Sequence, residues 1–150
     1  MQKKKIVTRV IELVIQKGKP MPGVSHIFSF FRERDFKIGL ATSSGPELIN
    51  VVIDLLNIRE YLQVVSSAAD LTYGKPHPEV YLNCAEKLSA LPGQCICFED
   101  SYNGMIAAKA AKMKCVIVPA SSESNNPVWQ AADLKISSLT KFNQLLFSNL

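Results

Sequence analysis

An α/β fold on a parallel sheet is what this sequence predicts. Short apolar runs closed by turn residues alternate along the chain with stretches of helical period. Strand–helix–strand–helix order brings right-handed crossovers, and hence parallel strands with helices on both faces. The composition agrees: 150 residues, 47% hydrophobic, with 7 Gly and 8 Pro, describe one globular domain and exclude a disordered or collagen-like chain.

The first element is a helix over Ile6–Gln16, joined to the body through Gly18-Lys19-Pro20-Met21-Pro22-Gly23, a candidate hinge. A second helix is expected at Val24–Arg34, before the first strand, Lys37–Thr42. Helix Pro46–Leu56 then leads to strand Gln63–Ser67, and helix Pro78–Ser89 to strand Cys95–Glu99. Helix Asn103–Lys112 contains Ala107-Ala108-Lys109-Ala110-Ala111, a run small enough to lie close against a sheet, and precedes strand Cys115–Pro119. Ser121–Pro127 reads as a flexible loop, and a last helix runs from about Leu139 to Phe147.

The net charge of +4 is local. Lys3, Lys4, Lys5, Arg9, Lys17 and Lys19 stand against Glu12 alone, and the remainder of the chain is close to neutral. Solvated terminal lysines account for this better than a nucleic-acid arm. The same segment mimics an export signal, but Arg9 and Glu12 interrupt its apolar run and no small-x-small cleavage site follows. No stretch is apolar for the roughly 20 residues a bilayer requires. Cys84, Cys95, Cys97 and Cys115 lack the spacing of a zinc site and read as reduced thiols, so a cytoplasmic location is expected.

In open parallel sheets ligands bind beyond the carboxyl ends of the strands. There the sequence places Thr42-Ser43-Ser44, then Lys75 in Gly74-Lys75-Pro76-His77-Pro78, then Glu99-Asp100. Thr42-Ser43-Ser44 enters a helix, where free N–H groups and the helix dipole suit an anion; equally, Ser44 and Glu47 fit a capping box that needs no ligand. Two prolines stiffen the turn that delivers Lys75, whose ammonium can offset phosphoryl charge or stand solvated at a helix start. His77 is expected to be a turn residue and His26 to lie on a helix surface. Glu99 and Asp100 repel each other, a strain that Mg²⁺ would relieve. Asp100 or Ser101 can also cap the next helix.

Taken in order, strand-Thr42-Ser43, Gly74-Lys75-Pro76-His77-Pro78 and Phe98-Glu99-Asp100-Ser101-Tyr102-Asn103-Gly104 resemble motifs II, III and IV of the haloacid dehalogenase (HAD) superfamily. Spacing and flanking residues most resemble its sugar-phosphate phosphatase and β-phosphoglucomutase branch, and within it the bacterial hexitol-phosphate (2-deoxyglucose-6-phosphate) phosphatase type. The resemblance implies a Rossmann-like core that binds phosphomonoesters. By it, Thr42 with the Ser43 amide binds the transferring phosphoryl group and Lys75 bridges that group and the nucleophilic carboxylate. Asp100 ligates Mg²⁺, with Glu99 beside it as ligand or support, and Ser44 contacts the remainder of the substrate. Gly45 stands where the mutases carry a lysine, which favours a phosphatase.

The resemblance stops at motif I, the D-x-D-G-T that supplies the family's nucleophile and its general acid/base. No D-x-D occurs here; the aspartates are Asp35, Asp54, Asp70, Asp100 and Asp133. The resemblance therefore implies residues 1–19 as the end of a cap domain and its linker, and residues 20–150 as an incomplete core lacking its central strand. The missing strand would lie between those at Lys37–Thr42 and Cys95–Glu99, leaving two apolar edges facing a gap. Another polypeptide or a second copy fills it, the strands close up, or the chain is sticky. The expected function is Mg²⁺-dependent phosphoaspartyl hydrolysis of small sugar or sugar-alcohol phosphates, with the nucleophile absent from this chain. The alternative is a non-catalytic remnant binding phosphate or a protein partner. A receiver domain, in which the acidic pair comes first and Lys-Pro last, has the wrong motif order.

Overall fold

The computed structural model describes residues 2–150, and in it the expected strands appear with a break between two of them. The elements run α1 (Gln2–Lys17), α2 (Val24–Arg32), β1 (Gly39–Thr42), α3 (Pro46–Leu56), β2 (Val64–Ser67), α4 (Glu79–Lys87), β3 (Ile96–Glu99), α5 (Tyr102–Ala110), β4 (Lys114–Ile117), β5 (Leu134–Lys135) and α6 (Gln144–Ser148). All pairings are parallel. β1 pairs with β2, with Gly39 opposite Val64, while β4 stands between β3 and β5, with Ile96 opposite Lys114 and Val116 opposite Leu134.

No ladder joins β1 to β3 among the described residues. The two strands have not closed up, so the fold consists of two half-sheets. Backbone groups alternate between a strand's two edges. The Ile38 carbonyl accepts from Gln63 N–H, so Gly39 and Ala41 turn their N–H and C=O groups to the free edge of β1. The Cys95 and Glu99 carbonyls accept from Lys114 and Val118, so Ile96 and Phe98 do the same on β3.

Helices hold the halves together. On one face, α2 buries Ile27, Phe30 and Phe31 against Val116, Val118, Ile136 and Phe142, while its Phe28 also packs with Ile49, Ile53 and Ile58 beside β1. On the other, α4 and α5 bury Val80, Tyr81, Ala85, Met105, Ala107, Ala108 and Ala111 against Cys97, Cys115 and Ile117, with Ala41 of β1 reaching the same cluster. Ala107 and Ala108 of α5 and Ala111 just beyond it are wholly or almost wholly buried, the close approach their size allows, while Ala110 faces solvent. Gly39 is required for the packing of α4: a Cβ there would lie 2.6 Å from Cys84 Sγ. α1 lies against α3 and leaves Ile6, Val10, Leu13 and Ile15 exposed.

Two expectations at the C-terminal end are corrected. The predicted helix over Leu139–Phe147 is a one-turn 3₁₀ segment at Leu139–Lys141 and a separate α6, because Phe142 turns inward to full burial and Asn143 caps the new start by accepting from Leu146 N–H at 3.0 Å. β5 has no counterpart in the sequence reading: two residues are too few to show a period. The strand Cys115–Pro119 is displaced to Lys114–Ile117. All four cysteines are free thiols, and burial pushes Cys97 and Cys84 up and Cys115 up to about 12. Among the described residues, no helix is long and apolar enough to cross a membrane.

Asp133 ties the last strand to the sheet. Its Oδ2 accepts from Lys109 Nζ at 2.6 Å and from the Cys115 amide at 2.7 Å, and its own amide donates to the Cys115 carbonyl. Burial raises the carboxyl's pKa, but these donors outweigh it and hold it below the ordinary carboxylate value. Stability from a depressed carboxylate is full above the unfolded pKa of about 4 and is lost as pH falls through the folded one. Asp133→Asn is therefore expected to cost about 1–2 kcal/mol at neutral pH, with the deficit shrinking in acid. Urea unfolding of both proteins at pH 7 and near pH 3 checks this.

Candidate active site at the mouth of the split sheet

The break between β1 and β3 opens where the sequence placed its polar residues, at the carboxyl ends of both strands. Lys75 occupies it. The turn carrying Lys75 is closed by His77 N–H donating to the Gly74 carbonyl, and the Lys75–Pro76 bond is cis. From there the ammonium spans both half-sheets, donating to the Ala41 carbonyl of β1 at 3.4 Å and pairing with Glu99 Oε1 of β3. The side chains of Lys75 and Glu99 are only 13% and 7% exposed, so each is the other's main compensation for lost water.

Glu99 is held from every side. Oε1 also accepts from the Tyr81 hydroxyl, and Oε2 from Ser101 Oγ at 3.2 Å. Its carboxylate lies directly over Gly104, where any Cβ would overlap it. Tyr81 receives a second bond from Lys75 Nζ, at 3.2 Å, and the ammonium stands 4.8 Å from its ring centre. Burial, then the charge of Glu99, push the Tyr81 pKa far up, so its hydroxyl stays protonated and a donor.

On β1, Thr42 Oγ1 accepts from Ser44 N–H at 3.1 Å, which leaves the hydroxyl proton available to an outside acceptor. The capping box is not formed. Gly45 is the N-cap of α3 with no side-chain bond, and the Ser44 carbonyl is taken by Ser67 Oγ at 2.6 Å. The start of α3 thus keeps its N–H groups free of side-chain partners, as an anion seat requires. At the β3 end, Ser101 caps α5 by accepting from Gly104 N–H at 3.1 Å, while Asp100 is exposed with no hydrogen bond among the described residues. A cavity of 360 Å³ opens beside it, lined by Tyr102, Glu123, Asn126 and Trp129 among others.

Thus Lys75 and Glu99 are brought into contact, Lys75 reaches the residue before Thr42, and Asp100 stays apart. Among the described residues, no three His, Cys, Asp or Glu side chains converge. Glu99 is committed to Lys75, Tyr81 and Ser101, whereas Asp100 is a free oxygen donor of the kind Mg²⁺ combines with waters and phosphate oxygens. His77 is the expected turn residue, its Nδ1 accepting from Glu79 N–H at 3.2 Å. His26, exposed on α2 as expected, donates from Nε2 to the Phe142 carbonyl at 2.7 Å. Sequence reasoning missed Tyr81 and Ser67. Tyr81 carried a signal: it shares the inward helix face of Cys84 and Ala85, and a buried tyrosine hydroxyl needs a partner.

A parallel α/β core with a hydroxyl, an ammonium and a carboxylate pair at its strand ends defines a class of proteins that bind ligands at the sheet mouth. The particular family is settled by comparison: the model for haloacid dehalogenase-like hydrolases matches residues 3–112, and the chain belongs to that family. Hexitol phosphatase B of Escherichia coli K12 is 40% identical over 137 residues, covering 91% of this chain and 62% of that protein. The fructose-1-phosphate phosphatase YqaB of the same strain is 31% identical over 109 residues, covering 73% and 57%. Of solved structures, the β-phosphoglucomutase of Clostridium difficile superimposes with a TM-score of 0.79 at 26% identity, covering 92% of this chain and 60% of that one. The chain thus spans about three fifths of the length of these relatives.

Gly104→Ala tests the seat of Glu99. The added methyl forces the carboxylate away from Lys75 and Tyr81, and overpacking of this kind costs about 1–3 kcal/mol. Urea denaturation should show that loss despite alanine's better helix propensity; unchanged stability would mean that Glu99 does not sit over this glycine.

Proposed function

We propose that this chain is the phosphoryl-binding part of a cytoplasmic phosphatase acting on small sugar or sugar-alcohol phosphates. The observation that carries the reading is Lys75, fixed between the ends of β1 and β3 by the Ala41 carbonyl and Glu99, at the strand end that Thr42 closes and from which α3 starts without a side-chain cap. The names of its relatives, a hexitol phosphatase and a fructose-1-phosphate phosphatase, support the substrate class.

In this reading Thr42 Oγ1 and the Ser43 amide hold oxygens of the phosphoryl group. Lys75 offsets their charge as it builds during transfer. Ser44 lies toward the part of the substrate that is not transferred. Asp100 would hold Mg²⁺, which when bound supplies further neutralisation of phosphoryl charge, and Glu99 keeps Lys75 in place rather than acting as a ligand. Residues 20–150 form this core, and residues 1–19 belong to a neighbouring cap.

Phosphoaspartyl chemistry needs an attacking carboxylate, and the chain contains no D-x-D. Hydrolysis by this route then requires a carboxylate from a further polypeptide segment. The unpaired edges of β1 and β3 give an extended segment, or a second chain, a place to pair. The same absence favours a second reading, a non-catalytic protein that binds phosphate or a protein partner.

Calorimetric titration with inorganic phosphate tests the site. Lys75→Ala is expected to weaken binding at least about tenfold, a charge-assisted contact being lost. Asp100→Asn should abolish the increase in phosphate affinity that Mg²⁺ produces, and an unaltered Mg²⁺ response would remove Asp100 from the site. Turnover separates the two readings. The chain alone should hydrolyse no hexitol phosphate, and activity should appear on adding, as a separate polypeptide, the part of hexitol phosphatase B that this chain does not match. Continued inactivity supports the non-catalytic reading, and hydrolysis by the chain alone would show that it carries a nucleophile outside any D-x-D.

A further inference from the structure

We infer that Tyr81 is the positioning residue of the site: its hydroxyl, with Glu99, makes a two-point seat that fixes the Lys75 ammonium while leaving one of its donors to exchange for a ligand oxygen. This rests on the phosphoryl-binding reading of Lys75 and extends it to a residue outside the three motifs.

The argument begins with the donors of Lys75. An ammonium has three N–H bonds, and here they meet the Tyr81 hydroxyl, Glu99 Oε1 and the Ala41 carbonyl. Two of the partners are buried side chains on rigid elements, Tyr81 in the first turn of α4 at 6% exposure and Glu99 at the end of β3. The third is a carbonyl on the free edge of β1, at 3.4 Å against 3.2 Å to the Tyr81 hydroxyl, a long contact for an N–H donor. It is therefore the weakest of the three and the one an arriving anion displaces.

Tyr81 does more than add a partner. Its hydroxyl donates to the same Glu99 oxygen that receives Lys75, so Glu99 is shared. Without that donor, a carboxylate with one strong cationic neighbour would draw the ammonium toward β3 and away from Ala41 and the end of β1. The phenol ring beside the ammonium closes the remaining side with an electron-rich face. Phenylalanine would keep the ring, its packing against Val80 and Ala85, and the cation–π contact, and would remove only the hydroxyl.

A double-mutant cycle on phosphate affinity provides the test, using inorganic phosphate with the full chain. Tyr81→Phe is expected to weaken phosphate about tenfold when Lys75 is present, the equivalent of about one hydrogen bond. In the Lys75→Ala background it should change affinity less than about twofold, because a residue that acts through Lys75 has nothing left to position. A merely structural tyrosine would weaken binding equally in both backgrounds, and that result overturns the inference. So does wild-type affinity in Tyr81→Phe where Lys75→Ala has lost it. If Lys75→Ala itself binds phosphate like the wild type, the reading of Lys75 falls and the inference with it. As a check on the geometry, the Lys75 Nζ signal in proton–nitrogen spectra should shift in Tyr81→Phe without general change in the amide spectrum; an unshifted signal would count against the seat.

Discussion

A single buried ion pair, Lys75 with Glu99, spans a place where the backbone makes no connection. β1 and β3 share no ladder, so at the mouth the halves meet through side chains, the ammonium touching a carbonyl of one half and a carboxylate of the other. Such a pair is not cheap. Removing both charges from water costs several kcal/mol each, and their attraction recovers this only when further hydrogen bonds complete the geometry. Tyr81 and Ser101 complete it for the carboxylate, and Tyr81 and Ala41 for the ammonium. Among the described residues no buried side-chain nitrogen or oxygen lacks a partner. What the network provides is definition more than stability: one cation at one position between two strand ends.

Behind the mouth, apolar packing does what the ladder does not. Phe28 belongs to the clusters of both half-sheets on one face, and Ala41 joins the cluster of the β3 side on the other. This packing is non-directional and tolerates a gap between two strands in a way hydrogen bonds do not. The half-sheets can therefore stay side by side while Gly39, Ala41, Ile96 and Phe98 offer backbone groups to the space between them. Lys75 and Glu99 stand at the end of that space.

Much of this was legible in the residues. Helix α3 was predicted at its observed limits, and the four longer strands within two residues, because turn residues bound them and their apolar runs are unbroken. The meeting of Lys75 with Glu99 at the strand ends was legible in two of the polar motifs, since strand ends in a parallel sheet converge whatever the sequence distance between them. Pairings were less legible. Ser44 and Glu47 have the spacing of a capping box, yet Ser67 takes the Ser44 carbonyl, a contact between residues 23 apart that no local rule contains. Tyr81 lay hidden for the same reason, its partner Glu99 being 18 positions away. At the C-terminal end, burial of Phe142 outweighed local helical preference and broke one expected helix into two turns.

One further feature gives the molecule a property of its own. Trp129 is the chain's single tryptophan, and it serves two places at once. Its ring is buried among Met105, Ala108 and Ile117, its indole N–H is bound to the Glu123 carbonyl at 2.6 Å, and one edge forms a wall of the cavity beside Asp100. Excited at the long-wavelength edge, where the four tyrosines do not absorb, the protein's emission therefore comes from one indole in one environment. Dissolution of the core must move that band to longer wavelength, whereas occupation of the space beside Asp100 changes its intensity while the core stays dry. The two events are separable in a single optical channel without any label.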